Sequence, residues 1–181
     1  NGWIRFMPEA DTRIHYVSAS GNNSTAKYYL RSDAAVGADP YNPVGPVQAY
    51  ATLASALTAV RSGYGDWVLL KRGDTWYTTM TRYPNGKSVS QPFLLGAYGQ
   101  GPRPVLKAGT SSFCAMWTSW SYAAFVGLYI YAHSRDPNSP EYVASNYSGR
   151  GFRFACNAGQ TVRGITVEDC VIRFFDTGIV V

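Results

Sequence analysis

The chain has 181 residues, 46% hydrophobic and 15% aromatic, enough for one domain with a continuous core and too few for two large ones. Lysine and arginine number 16 against 11 acidic residues, spread as +3 over residues 1–90 and +2 over residues 91–181, so there is no basic tail or block of the kind that grips nucleic acid. No apolar run reaches the roughly 18 residues that span a bilayer, and Asn1-Gly2-Trp3-Ile4-Arg5 lacks the apolar stretch of a secretion signal.

In chain order, Arg13 to Ser18 alternates and predicts a first strand with Ile14, Tyr16 and Ser18 on one face. Residues 19–49 hold Gly21-Asn22-Asn23-Ser24 and three prolines, which predicts a loop too long for a simple connection, either functional or a covering flap. A short amphipathic helix is expected over 51–62: Thr52 is a suitable N-cap, Leu53, Ala56, Leu57 and Val60 form an apolar stripe, and Arg61-Ser62-Gly63 supplies a charge and a stop. Asp66 to Arg72 reads as a buried strand running into the turn Gly73-Asp74. Further strands are expected at Phe93–Tyr98, Pro104–Lys107, Phe113–Trp117 and Ala124–Tyr131.

The last part of the chain repeats itself. Gly151-Phe152-Arg153-Phe154 is echoed 27 residues later by Gly178-Ile179-Val180-Val181, and between them Ile165–Val167 and Val171-Ile172 read as short strands separated by turns. Val126 to Ile130 also superposes on Arg163 to Val167 at a spacing of 37, with the surplus in the polar segment 133–149, which contains Pro137, Asn138, Pro140 and Asn146. Three short strands and three turns per repeat predict an all-β fold, a parallel β-helix or solenoid in one domain over 1–181. The helix is expected to cap its N-terminal end, and 133–149 to be an inserted loop at or near a binding face. Further coils or another chain are expected to cover the apolar C-terminal end.

Cys114, Cys156 and Cys170 are an odd number at irregular spacing and make no disulfide framework. They read as small core hydrophobes, with a Cys156–Cys170 bridge left open. Neither His15 nor His133 has zinc-ligand spacing with them.

Tyr16 to Asn23, Ala51 to Leu57 and Trp67 to Asp74 resemble the N-terminal module of right-handed parallel β-helix proteins of the pectate-lyase-like superfamily. Leu95 to Leu106 and Gly164 to Val181 resemble its coils. The resemblance implies a right-handed coil, export to the cell surface or medium, and action on or binding of polysaccharide, as a lyase or a glycoside hydrolase. It equally admits a non-catalytic structural or adhesive protein, since this fold carries many functions. Asn23 stands where many relatives have Asp, so Ca²⁺ finds no ligand cluster, and no other cofactor is evident.

A lyase needs a base and a cation to neutralise the sugar acid. Lys71, Arg72, Arg103, Lys107, Arg153, Arg163 and Arg173 are the basic candidates, of which Lys71, Arg72, Lys107 and Arg153, with His133, are the catalytic ones. A hydrolase needs two carboxylates facing one sugar; Glu168-Asp169 is the only adjacent pair and should diverge, the acids near turns reading as turn formers. A Ser nucleophile with His133 and Asp136 lacks the Gly-x-Ser-x-Gly elbow. Trp76, Tyr77, Trp117, Trp120 and Arg135 are the candidates for substrate binding, with core packing as the rival use of the aromatics.

Overall fold

The computed structural model describes residues 5–144 and 149–181; Asn1 to Ile4 at the start and Asn146 in the polar segment lie outside the described residues. In chain order the elements are β1 (Ile14–Val17), α1 (Leu53–Ala59), β2 (Trp67–Lys71), β3 (Thr75–Tyr77), β4 (Phe93–Tyr98), β5 (Val105–Lys107) and β6 (Cys114–Met116). β7 (Trp120–Val126), β8 (Tyr129–Tyr131), β9 (Arg150–Phe154), β10 (Val162–Glu168), β11 (Val171–Arg173) and β12 (Thr177–Val180) follow. No helix among them is long and apolar enough to cross a membrane.

Among the described residues all ladder pairings are parallel and fall into three sheets: β1-β2-β4-β7-β10, β11-β8-β5-β3 and β12-β9-β6. This topology corrects the expectation of a right-handed parallel β-helix, a solenoid of uniform coils. The sheets have five, four and three strands, β1 joins only the first, and β2 and β3 reach only two of the three. Nor does one period relate the strands: partners in the five-stranded sheet are offset by 27 residues at Val68–Leu95, 30 at Leu95–Phe125 and 42 at Phe125–Val167. The ladder fixes only which residues face each other, so the connections lengthen freely at the corners. The 37-residue superposition is likewise replaced by 42, whereas Phe152 does pair with Ile179 at the offset of 27. The strand expected over Ala124–Tyr131 breaks in two at Gly127, whose φ of +72° turns the chain from one sheet to the next.

The main core lies between the sheets, where Val68, Leu95, Phe125, Leu106, Ile130, Phe113 and Phe152 are fully buried. Trp76 and Trp120 belong to it as well, and their indole N–H groups donate to the carbonyls of Ala51 and Pro84 at 2.9 and 2.8 Å. Both were candidate sugar-binding residues; the structure corrects this, since the rings face inward and their one polar atom is satisfied there. A second core covers the outer face of the five-stranded sheet, where Ile14, Tyr16, Trp67, Leu69, Leu94 and Ala124 pack against Phe6, Tyr29, Val36 and Ala49. The long loop is thus a covering layer. Tyr29 bridges Ile14 in antiparallel fashion, and Tyr16 donates its hydroxyl to Pro40 O at 2.8 Å. For the same reason β1 is buried on both faces rather than on one.

Thr52 caps α1 by accepting from Ser55 N, and Leu53, Ala56 and Leu57 are buried against β1 and β2. The helix is shorter than the expected 51–62, and its end is held differently. Arg82 Nη1 donates to the carbonyls of Leu57, Thr58 and Val60, the groups that a helix C-terminus leaves without partners. Arg61 instead clamps the fully buried Asp66, with Nη2 at 2.7 Å, while Arg13 N and Arg61 N donate to the same carboxylate. Cys156 and Cys170 are both free thiols, so the bridge left open in the sequence is not formed. At the far end β10, β11 and β12 are the edge strands of all three sheets, and Ile165, Ile172 and Phe175 there are only partly buried.

Candidate functional site

Side chains alternate across a strand, so each inward residue of the four-stranded sheet fixes an outward neighbour. Trp76, Leu106 and Ile130 point into the core, which puts Tyr77, Lys107 and Tyr131 outward, and Arg173 is the register partner of Tyr131. These four ends pair in succession, Tyr77 with Lys107, Lys107 with Tyr131, Tyr131 with Arg173, and form a row with one side chain about every 4.8 Å. Tyr77 is 66% exposed.

The segment after β8 folds back over this row. A 3₁₀ turn, His133–Arg135, buries His133 with its ring edge-on to Tyr77 at 5.3 Å, and Gly109 N–H donates to its Nδ1 at 3.3 Å. Glu141 then enters from the loop. Lys107 Nζ pairs with one oxygen of its carboxylate, the Tyr77 hydroxyl donates to the other at 2.5 Å, and His133 Nε2 lies 4.0 Å away. Lys107 also donates to the Tyr77 oxygen at 3.0 Å, closing a triangle of three mutually bonded groups.

Electrostatics follow from that triangle. The Lys107 and Tyr77 hydrogen bonds hold the Glu141 carboxyl below its ordinary range, and the Glu141 bond, then that of Tyr77, holds Lys107 above its own. Burial lowers His133 against the opposing pull of Glu141, so its ring is neutral at pH 7. Farther along the row the Tyr131 hydroxyl donates to Asp136 at 2.7 Å and, with Asn138 N, keeps that carboxylate ionised. Arg135 pairs with Asp176. The face thus offers two anionic carboxylates, a lysine ammonium, a neutral imidazole and two phenols along one sheet surface.

Of the residues singled out in the sequence, Tyr77, Lys107, His133 and Arg173 lie on this face, and Arg135, in the same turn as His133, pairs instead with Asp176. Arg153 and Trp117 do not lie on it. They stack at 3.4 Å, with Trp117 51% exposed, and Arg153 lies on β9 of the three-stranded sheet. Lys71 and Arg72 stand at the corner between the five- and four-stranded sheets; Lys71 lines a recess with Ser18 and Tyr98. Glu141 and Tyr131 are the members missed. The alternation of Tyr129-Ile130-Tyr131 could have flagged Tyr131, whereas Glu141 sits in an aperiodic loop that carries no register. Among the described residues no group of three His, Cys, Asp or Glu side chains is placed to hold a metal ion.

No protein-family model matches the chain, and no curated protein matches it. Among solved structures it is similar to the native GH136 lacto-N-biosidase from Eubacterium ramulus, with a TM-score of 0.42 and 16% identity over 85% of this chain. The chain spans about a quarter of that protein, 26%.

Proposed function

We propose that this is an exported protein that binds and processes polysaccharide on the outer face of its four-stranded sheet. The observation that carries this reading is the Tyr77–Lys107–Glu141–His133 cluster beside an open row of tyrosines and cations. Tyrosine faces suit the C–H faces of sugar rings, and the cations of the row, Lys107 and Arg173, suit acidic groups along the polymer. Glu141, held anionic, is the proton acceptor, and the Tyr77 hydroxyl beside it is the proton donor. Two-carboxylate hydrolysis fits less well, because it needs one carboxyl protonated and both Glu141 and Asp136 are stabilised as anions.

A second reading has its own support. Lys107, Tyr77 and Glu141 satisfy one another and so pin the loop to the sheet, as they would in an adhesive or structural protein that binds glycan without cleaving it. The test is to incubate the protein with acidic and neutral polysaccharides and follow both unsaturated product and new reducing ends, for wild type and Glu141→Gln. Product that falls about 100-fold or more in the variant, with glycan binding kept, supports processing. Binding without product supports the adhesive reading, and neither binding nor product defeats both.

A further inference from the structure

The corner between the five- and four-stranded sheets carries a cleft of about 620 Å³, within the size range of small-molecule sites. It is lined by Arg5, Tyr41, Asn42, Arg72, Gln100 and Asp169, over a floor of Ala97, Gly99, Gly101, Val126 and Gly127. None of these belongs to the Tyr77–Glu141 cluster, so the cleft is a distinct site.

The floor is bare for a backbone reason. Gly99, Gly101 and Gly127 have φ of +80°, +115° and +72°, conformations that side chains resist, so the corner turns are built from residues that leave the main chain open to close approach. Over Gly127 two unlike groups converge. A Cβ placed there would stand 3.5 Å from Arg72 Nη2, a donor, and 3.7 Å from Asp169 Oδ2, an acceptor. Asp169 commits its other oxygen to Arg103, and Arg5 is committed to Asp39. Arg72 has no carboxylate partner among the described residues and makes only a 3.4 Å contact to Gly101 O. Asn42 and Gln100, bonded to each other at 2.7 Å, complete a polar wall, while Ala97 and Val126 leave apolar patches beneath it.

A ligand over Gly127 must therefore accept from a guanidinium and donate to a carboxylate at nearly one point. A carboxylate has no proton to donate, and a phosphate, which still carries one at neutral pH, brings its negative charge against Asp169. An amine or ammonium meets Arg72. Hydroxyl groups do both, and the apolar floor matches the C–H face of a sugar ring. We propose that this cleft binds a neutral pyranose through hydroxyls shared between Arg72 and Asp169. The inference stands independently of the function assigned to the four-stranded sheet.

The 181-residue chain would be titrated with glucose, galactose, mannose and N-acetylglucosamine, and separately with inorganic phosphate, using ligand-observed NMR and calorimetry. Saturable binding of at least one sugar is expected, with about ten-fold loss in Arg72→Gln and in Asp169→Asn. Asparagine keeps the shape of Asp169 and tolerates its φ of +50°, so that variant tests the charge without disturbing the turn. Glu141→Gln, in the other site, should bind these sugars as wild type does. Absence of saturable sugar binding, undiminished binding in both cleft variants, or binding of phosphate in place of sugar would overturn the proposal.

Discussion

The outer faces of the five- and four-stranded sheets are built from the same alternating strands and have opposite fates. On the first, Ile14, Tyr16, Trp67 and Leu94 are sealed beneath the 19–49 segment and the residues before β1. On the second, Tyr77 is exposed and Lys107 and Tyr131 are half-buried, and among the described residues a polar loop crosses them through Glu141. A parallel sheet with a covered face reads as continuous hydrophobic strands, and one with a bare face reads as alternation. Trp67-Val68-Leu69-Leu70 and Thr75-Trp76-Tyr77 are those two patterns within eleven residues of chain. The covered face should therefore hold the fold together, and the bare one should do the chemistry.

The largest effect expected from this contrast comes from paired aromatic deletions. Trp67→Ala removes a 1%-exposed ring from the second core and should cost about 3–5 kcal/mol. Tyr77→Ala should cost under about 1 kcal/mol yet impair glycan binding or turnover. Urea melts of both variants beside the polysaccharide assay check this. Equal destabilisation would erase the distinction between the two faces.

Much of this division was legible in the sequence, though unevenly. The core strands could be read because Phe93–Tyr98 and Trp67–Leu70 are apolar runs bounded by turns, and the helix because Thr52 and its stripe carry a local signal. The covering layer is legible only as one of two alternatives, a functional loop or a flap, since residues 19–49 reach their partners through isolated contacts such as Tyr16 to Pro40 that leave no period. The 27-residue echo implies a uniform coil, but connections of different length pair in perfect register, so one repeat does not fix the period of the whole chain. Tyr77, Lys107 and His133 are legible as candidates from residue type and from their places at strand ends and at the mouth of the 133–149 loop. Their convergence depends on Glu141, 34 residues beyond Lys107, and that contact is long-range.

The next effect lies on the inward side of β1. His15 is fully buried between the rings of Tyr28 and Tyr50, and neither ring nitrogen has a hydrogen-bond partner among the described residues. Burial lowers it from 6.5 to about 4, against the opposing pull of Asp66. The unfolded chain takes up a proton near pH 6.5 while the folded one resists until about pH 4. The stability tied to neutral His15 is therefore fully present above pH 6.5 and is lost as the pH falls through that window, on the order of 3 kcal/mol. His15→Leu should flatten that part of the pH–stability curve relative to wild type. An unchanged slope between pH 6.5 and 4 would mean that the site admits the charged ring.

The smallest change in stability, and the sharpest test of the bare face, is Lys107→Met. The ion pair with Glu141 is partly exposed, so its loss should move the unfolding midpoint little. Its effect should be on titration. Lys107 is the first cause of the lowered Glu141 pKa, and without it that carboxylate protonates at higher pH. If Glu141 acts as the anion, activity or glycan binding is lost as the pH falls through its pKa, so the acidic limb of the pH profile should shift upward in Lys107→Met. Glu141→Gln should have no such limb to shift. A profile that keeps its acidic limb in place would assign Lys107 and Glu141 to pinning the loop alone, and the bare face would then owe its function to the tyrosine row.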